Sequence, residues 1–151
     1  RQNIYEIGGI TIIEDCYNAS PESMRAAMDV LKTISKSKKG SRMTTLLGDM
    51  RELGENSKKY HREVGKYFGT VGGKLLMTMG TLARDIAVGA LEGGLAEKNV
   101  YVTSDYNNYE LIGATLKDIL KDGDVLLVKA SRAIGAERVV AYLKENLTKE
   151  N

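Results

Sequence analysis

The chain has 151 residues, 42% of them hydrophobic and 28% charged, and 22 basic against 20 acidic side chains give a net charge of +2. That is the composition of one soluble globular domain; the balanced charge argues against nucleic acid or a membrane surface as partner, and no apolar run is long enough to span a bilayer. The single cysteine, Cys16, excludes an internal disulfide and fits a reducing compartment, so the cytoplasm is the expected location.

The chain opens on Arg1-Gln2-Asn3 without an initiator Met, and strand-like sequence follows at once. A single domain over residues 1–151, cut from a longer protein, is the expected organisation. No internal repeat interrupts it, and the one low-complexity stretch, Ser35–Ser41, is short and loop-like.

Ile4–Ile7 and Ile10–Glu14 flank Gly8-Gly9, a two-residue hairpin signal. After Asp15-Cys16-Tyr17-Asn18, Ser20 is a suitable N-cap and Pro21 a suitable first helical residue, because its missing N–H costs nothing there. Met24, Ala27, Met28, Leu31 and Ile34 then recur at the spacing of one buried helix face. Met43–Leu47 predicts a strand, Gly48–Gly54 a turn, and Tyr60, Val64, Tyr67 and Phe68 the next helix. Leu75–Met79 predicts a strand closed by Gly80-Thr81, followed by a helix on Leu82, Ile86, Ala87, Ala90 and Leu91 that ends near Gly93-Gly94. Val100–Val102 is a short strand. Ser104 or Asp105 is expected to cap a helix whose face is Tyr109, Ile112, Leu116, Ile119 and Leu120. Val125–Val128 is the last strand, and Ala136, Val139, Val140, Leu143 and Leu147 mark the last helix.

Strands that are apolar throughout and alternate with single helices indicate a mostly parallel sheet covered on both faces. The expected fold is a Rossmann-like, doubly wound α/β domain with right-handed crossovers and the first hairpin added at one edge.

In such a sheet the strand C-termini open onto one edge, where ligands bind. Three of those ends are polar: Asp15–Asn18, Asp49–Glu52 and Lys129–Arg132. A Lys point charge, the Ser131 hydroxyl and the Arg132 fork suit a phosphate or carboxylate, although a strand-end Lys beside a Ser cap is also common without a ligand. Asp49 could accept from an ammonium group, bind a metal through water, or simply cap its turn, and the cap is the safer expectation. Tyr17 could stack on a planar ring or merely pack. The four methionines Met24, Met28, Met77 and Met79 read as core. His61, the sole histidine, cannot form a multi-histidine metal site and is expected at a surface or boundary. No metal site is expected. There is no phosphate loop, dinucleotide fingerprint, nucleophile elbow or zinc-protease motif, so the domain lacks the apparatus for phosphoryl transfer by itself.

Taken together, four segments resemble the C-terminal domain of the Mur ligases, in the MurF-type branch that adds D-alanyl-D-alanine. They are Asp15-Cys-Tyr-Asn-Ala-Ser-Pro-Glu-Ser-Met-Arg-Ala-Ala27, Leu47-Gly-Asp-Met-Arg-Glu-Leu-Gly54, His61-Arg-Glu-Val-Gly65, and Val128-Lys-Ala-Ser-Arg132 with Glu137-Arg-Val-Val140. The resemblance implies a step of peptidoglycan precursor synthesis catalysed by a three-domain enzyme, with separate UDP-substrate and central ATPase domains. ATP would phosphorylate the carboxylate of UDP-N-acetylmuramoyl-tripeptide, and the dipeptide amine would attack the acyl phosphate. ATP and Mg2+ would be held mainly by the central domain, this domain's own partner. By position, the resemblance implies ATP contacts from Arg1, Asp15, Tyr17 and Asn18, with Ser20 beside them. It implies that Asp49, Lys129, Ser131 and Arg132 orient the dipeptide, the last three also serving the reacting phosphate as catalytic groups. Replacing Lys129 is then expected to harm turnover far more than stability. His61 matches a family position without an implied role.

Two residues depart from the family pattern. Ser20 stands where many relatives have Asn, and Ala130 where Lys-Gly-Ser-Arg is usual, which puts a close backbone approach at a left-handed residue in question. Two other readings compete. In a phospho-receiver, Asp49 would be the acceptor beside Glu14, Asp15, Thr81 and Lys129; a generic nucleotide-binding α/β module is the other.

Overall fold

The computed structural model describes residues 2–147. Strand β1 (Asn3–Ile7) pairs antiparallel with β2 (Ile10–Asp15), from Asn3 opposite Glu14 to Ile7 opposite Ile10. The turn needs both central residues at positive φ, and Gly8 and Gly9 adopt +56° and +82°. Helix α1 (Pro21–Lys36) follows β2. Its start is a reciprocal cap: Ser23 N–H donates to Ser20 Oγ at 3.1 Å, and Ser20 N–H donates to Ser23 Oγ at 2.9 Å. Serine thus takes the place that Glu or Gln usually fills in a capping box.

The chain then alternates through β3 (Met43–Gly48), α2 (Ser57–Thr70), β4 (Leu75–Met79), α3 (Arg84–Glu92), β5 (Val100–Thr103), α4 (Tyr109–Ile119), β6 (Val125–Lys129) and α5 (Glu137–Leu147). The strands lie in the order β1-β2-β6-β3-β4-β5, and every pair after the hairpin is parallel. The predicted doubly wound sheet with an antiparallel strand at one edge is the fold observed. β6 is inserted between β2 and β3, so α1 crosses over it, whereas the β5-to-β6 connection runs back the other way. A constant crossover hand then requires the helices to change face. They do: α1, α2 and α3 pack on one side through Met28, Leu31, Val64, Phe68 and Ile86. α4 and α5 pack on the other through Ile112, Leu116, Val139 and Leu143.

Three local expectations are corrected. His61 is fully buried, because the inner face of α2 is His61, Val64, Gly65 and Phe68; Tyr60, one residue away, is turned about 100° off that stripe and is only half-buried. On α3 the core is made by Ile86, Ala87 and Ala90, with Ala83 just ahead of the helix, while Leu82 and Leu91 are exposed. Leu82 precedes the helix, and Leu91 sits one step past the buried Ala90. Helix α4 is capped by Asn108, whose Oδ1 accepts from Leu111 N–H at 3.3 Å, and not by Ser104 or Asp105. Asp105 is used earlier: its Oδ1 accepts from Asn107 N–H at 3.1 Å, which keeps a turn ahead of the helix.

The α2–α3 contact is the closest helix pairing and is lined by glycine. A Cβ at Gly65 would overlap the Ile86 carbonyl oxygen, and one at Gly89 would overlap the Arg62 carbonyl oxygen. Backbone lies directly against backbone there, so α2 is held in a fixed position over β3 and β4.

Candidate functional site

The edge where the parallel strands end contains a topological switch point. β2 leads into α1 on one face, and its neighbour β6 leads into α5 on the other, so a crevice opens between their C-terminal ends. The last residues of the two strands, Asp15 and Lys129, are register partners. Lys129 Nζ lies 3.1 Å from Asp15 Oδ2 and donates to the Asn18 carbonyl oxygen at 2.8 Å. The ammonium therefore ties the end of β2 to the turn that follows it. Gln2 Nε2 donates to the same Asp15 oxygen at 3.3 Å.

Around this pair is a cleft of about 570 Å³ floored by Asp15 and Lys129 and walled by Tyr17, Asn18 and, from α1, Ala26, Ala27 and Val30. Tyr17 is 64% exposed. Its ring is covered on one side by the Arg132 guanidinium, 5.2 Å from the ring centroid. On the α5 side of Tyr17 a smaller recess of about 220 Å³ holds Glu14, Cys16, Arg132 and Glu137. Burial, then the negative charges of Glu14 and Glu137, push the Cys16 thiol up to about 12. Cys16 Sγ donates weakly to the Val128 carbonyl oxygen at 3.6 Å and is no candidate nucleophile.

A second group forms around Asp49. Its Oδ1 accepts from Ala83 N–H at 2.8 Å, its backbone carbonyl accepts from Ser131 N–H at 2.9 Å, and its Oδ2 lies 3.6 Å from Arg51. The Asp49 carboxylate therefore caps the turn between β4 and α3 and not its own, where it makes only the ion pair with Arg51. Gly80 makes this possible: at φ +116°, a Cβ there would strike the Asp49 carboxylate. Ser131 Oγ is buried and has no hydrogen-bond partner among the described residues. Such an orphaned hydroxyl is costly unless something else completes it, which marks it as a candidate ligand contact.

The structure thus brings Asp15, Tyr17, Asn18 and Lys129 together in one crevice, with Arg132 over the Tyr17 ring in the adjoining recess and Asp49 and Ser131 joined to each other by a backbone hydrogen bond. Arg1 lies outside the described residues. The metal expectation remains one: among the described residues no group of three or more His, Cys, Asp or Glu side chains is placed to hold a metal. The receiver layout is not formed, because Lys129 pairs with Asp15 while Glu14 lies in the recess on the opposite face.

Ala130 is fully buried, and Glu52 at φ +62° is the only non-glycine residue at positive φ among those described. The strained backbone that Ala130 put in question is therefore not needed. Its methyl group instead packs over Gly48, where an added Cβ would lie 2.6 Å from it.

Residues 1–132 match the sequence profile of the family described as Mur ligase, glutamate ligase domain. The chain is a Mur ligase C-terminal domain. It is 36% identical over 138 residues to the UDP-N-acetylmuramoyl-tripeptide–D-alanyl-D-alanine ligase of Bacillus subtilis, covering 91% of this chain and 29% of that protein. It is 34% identical over 147 residues to the ligase of the same name from Mycobacterium tuberculosis, covering 89% of this chain and 29% of that one. Among solved structures, the MurF ligase of Thermotoga maritima in complex with ADP superposes with a TM-score of 0.77 at 30% identity, over 99% of this chain and 31% of that one. The Mur ligase C-terminal domain therefore spans about three-tenths of the length of these relatives. None of its described helices is long and apolar enough to cross a membrane.

What the sequence did not reveal is the role of His61. The imidazole Nε2 accepts from Met50 N–H at 3.0 Å, and Nδ1 lies 2.7 Å from the Ser57 carbonyl oxygen. The signal was available in principle: position 61 is in phase with Val64 and Phe68 at helical spacing.

Proposed function

We propose that this domain serves an ATP-dependent ligase that joins D-alanyl-D-alanine to UDP-N-acetylmuramoyl-tripeptide in peptidoglycan precursor synthesis. It completes the ATP site of a central ATPase domain and receives the incoming dipeptide. The observation that carries the reading is the crevice at the β2–β6 switch point, where a buried Asp15–Lys129 pair fixes the Tyr17–Asn18 turn beside an open cleft.

Asp15, Asn18 and the exposed ring of Tyr17 are assigned to the nucleotide, together with Arg1. The cleft suits it: an aromatic face for a base and polar groups at a strand end for ribose or phosphate. Magnesium is assigned to the central domain. Arg132 and the Ser131 hydroxyl are assigned to the dipeptide carboxylate and the transferring phosphoryl group, which need a fork of donors and a hydroxyl respectively. Asp49 orients Ser131 and adds the negative charge that favours the ammonium end. Lys129 acts from within, keeping Asp15 and the turn at Asn18 in place.

In the reaction itself the tripeptide carboxylate oxygen bonds to the γ-phosphorus of ATP as ADP leaves. The dipeptide nitrogen, having lost its proton, then bonds to the acyl carbon as phosphate leaves. Since this domain supplies only half of each site, residues 1–151 alone are inactive. The test compares phosphate release and product formation by the full-length chain and by residues 1–151, with ATP, UDP-N-acetylmuramoyl-tripeptide and D-alanyl-D-alanine. Activity confined to the full chain supports the assignment; ligation by residues 1–151 alone, or none by the full chain, overturns it.

A further inference from the structure

His61 holds one side of a peptide bond whose other side holds Ser131. The Asp49–Met50 peptide donates its N–H to His61 Nε2 at 3.0 Å, and its carbonyl oxygen accepts from Ser131 N–H at 2.9 Å. A trans peptide is rigid and planar, with N–H and C=O pointing in opposite directions. The orientation imposed by the imidazole on one edge is therefore passed directly to the amide of Ser131 on the other.

Everything behind this plane is fixed. His61 is fully buried, and its Nδ1 donates to Ser57 O one helical turn earlier, which leaves Nε2 without a proton and oriented as an acceptor. Helix α2 is seated on α3 through Gly65 and Gly89 with no room for a Cβ at either position. The Asp49 carboxylate is anchored separately on Ala83 N–H. On the other side of the plane stands Ser131, with its orphaned buried hydroxyl, and Arg132 follows it. An apolar side chain would fill the space of an imidazole, but it would leave Met50 N–H buried without an acceptor and the peptide free to tilt.

We propose that His61 is a positioning residue for the dipeptide side of the site, acting through the Asp49–Met50 peptide on Ser131 and Arg132. The proposal rests on the assignment of Ser131 and Arg132 to the dipeptide made above. It predicts a specific asymmetry. The nucleotide turn at Asp15–Asn18 is anchored by Lys129 and meets this side only where Arg132 lies over the Tyr17 ring, so the loss of His61 falls mainly on the dipeptide and far less on ATP.

The experiment uses the full-length ligase. His61→Phe keeps a planar ring and removes the acceptor; His61→Asn keeps a donor for Ser57 O but cannot reach Met50; His61→Gln places an amide oxygen near the Nε2 position. The Phe and Asn variants are expected to raise the KM for D-alanyl-D-alanine about tenfold and to leave that for ATP within about twofold, the loss of one buried hydrogen bond. His61→Gln is expected to restore most of the dipeptide affinity. Hydrogen exchange over residues 129–135 is expected to quicken in the Phe and Asn variants and to return towards wild type in Gln. If Phe does not fold, Asn and Gln give the same comparison. An unchanged dipeptide KM in a folded Asn or Phe variant overturns the proposal, as does an equal rise in the KM for ATP. Ser131→Ala separates the two failures. If it raises the dipeptide KM while the His61 variants do not, only the role of His61 falls; if it too has no effect, the dipeptide assignment falls with it.

Discussion

Asp15 and Lys129 end adjacent parallel strands as register partners and meet across 3.1 Å with side chains 9% and 3% exposed. An ion pair this deeply placed gains little net stability over an apolar pair of the same shape, yet it is costly to break from one side. Its value lies in what the ammonium also reaches: the Asn18 carbonyl, and with it the turn that enters α1. The pair fixes the direction in which Tyr17 and Asn18 leave the sheet.

Lys129→Ala is accordingly expected to lower the unfolding free energy of the domain by about 3 kcal/mol, because Asp15 loses its ammonium partner inside the crevice. It is also expected to abolish ligation by the full-length enzyme. Urea unfolding and a ligation assay check the two separately. The sequence reading expected an effect on turnover far above that on stability; the burial of both side chains predicts that both fall.

Gly48 and Ala130 form a testable couple. The Ala130 methyl occupies the space where a Gly48 Cβ would lie, 2.6 Å away. Gly48→Ala is expected to destabilise the domain strongly, and Ala130→Gly in the same chain is expected to recover about 1–2 kcal/mol of that loss. A double-mutant cycle on urea-unfolding midpoints measures the coupling. Additive effects would show that the clash is absorbed elsewhere, for instance by Ile134, whose Cγ2 is 3.2 Å from the same point.

The Cys16 thiol gives a pH prediction. Burial first, and the Glu14 and Glu137 carboxylates second, raise it from 9.0 to about 12. The unfolded chain therefore loses this proton at lower pH than the folded one. The stability linked to Cys16 is intact below pH 9 and lost as the pH rises towards 12. At pH 8 the folded protein is expected to resist iodoacetamide while the urea-unfolded protein is alkylated readily, which mass spectrometry reads directly. Equal alkylation rates would mean that the thiol is open to solvent.

The fold was readable because its strands and helices are locally consistent. Apolar runs such as Val125–Val128 and stripes such as Met24–Leu31 declare their elements without reference to the rest of the chain. Local chemistry also indicated the Gly8-Gly9 turn and the Ser20-Pro21 helix start. For the site, the three polar strand ends and the family segments selected Asp15, Tyr17, Asn18, Asp49, Lys129, Ser131 and Arg132. The pattern was misread where a position is set by one step of helical phase, as with His61 and Leu91, and at the start of α4, where a turn held by Asp105 moves the cap on to Asn108.

By itself, then, the sequence determined which segments form strands and helices, which strand ends carry polar groups and which family the chain resembles, since these depend on residue order and short-range periodicity. Only the tertiary structure decided that β6 lies between β2 and β3, and hence that Lys129 pairs with Asp15, 114 positions away by their numbers, and not with Asp49. It alone placed His61 and Ser131 on opposite edges of one peptide, and the glycines of α2 against the backbone of α3. These are contacts between residues far apart in the chain. Their energies depend on strand order, register and close approach, quantities that no local stretch of sequence encodes.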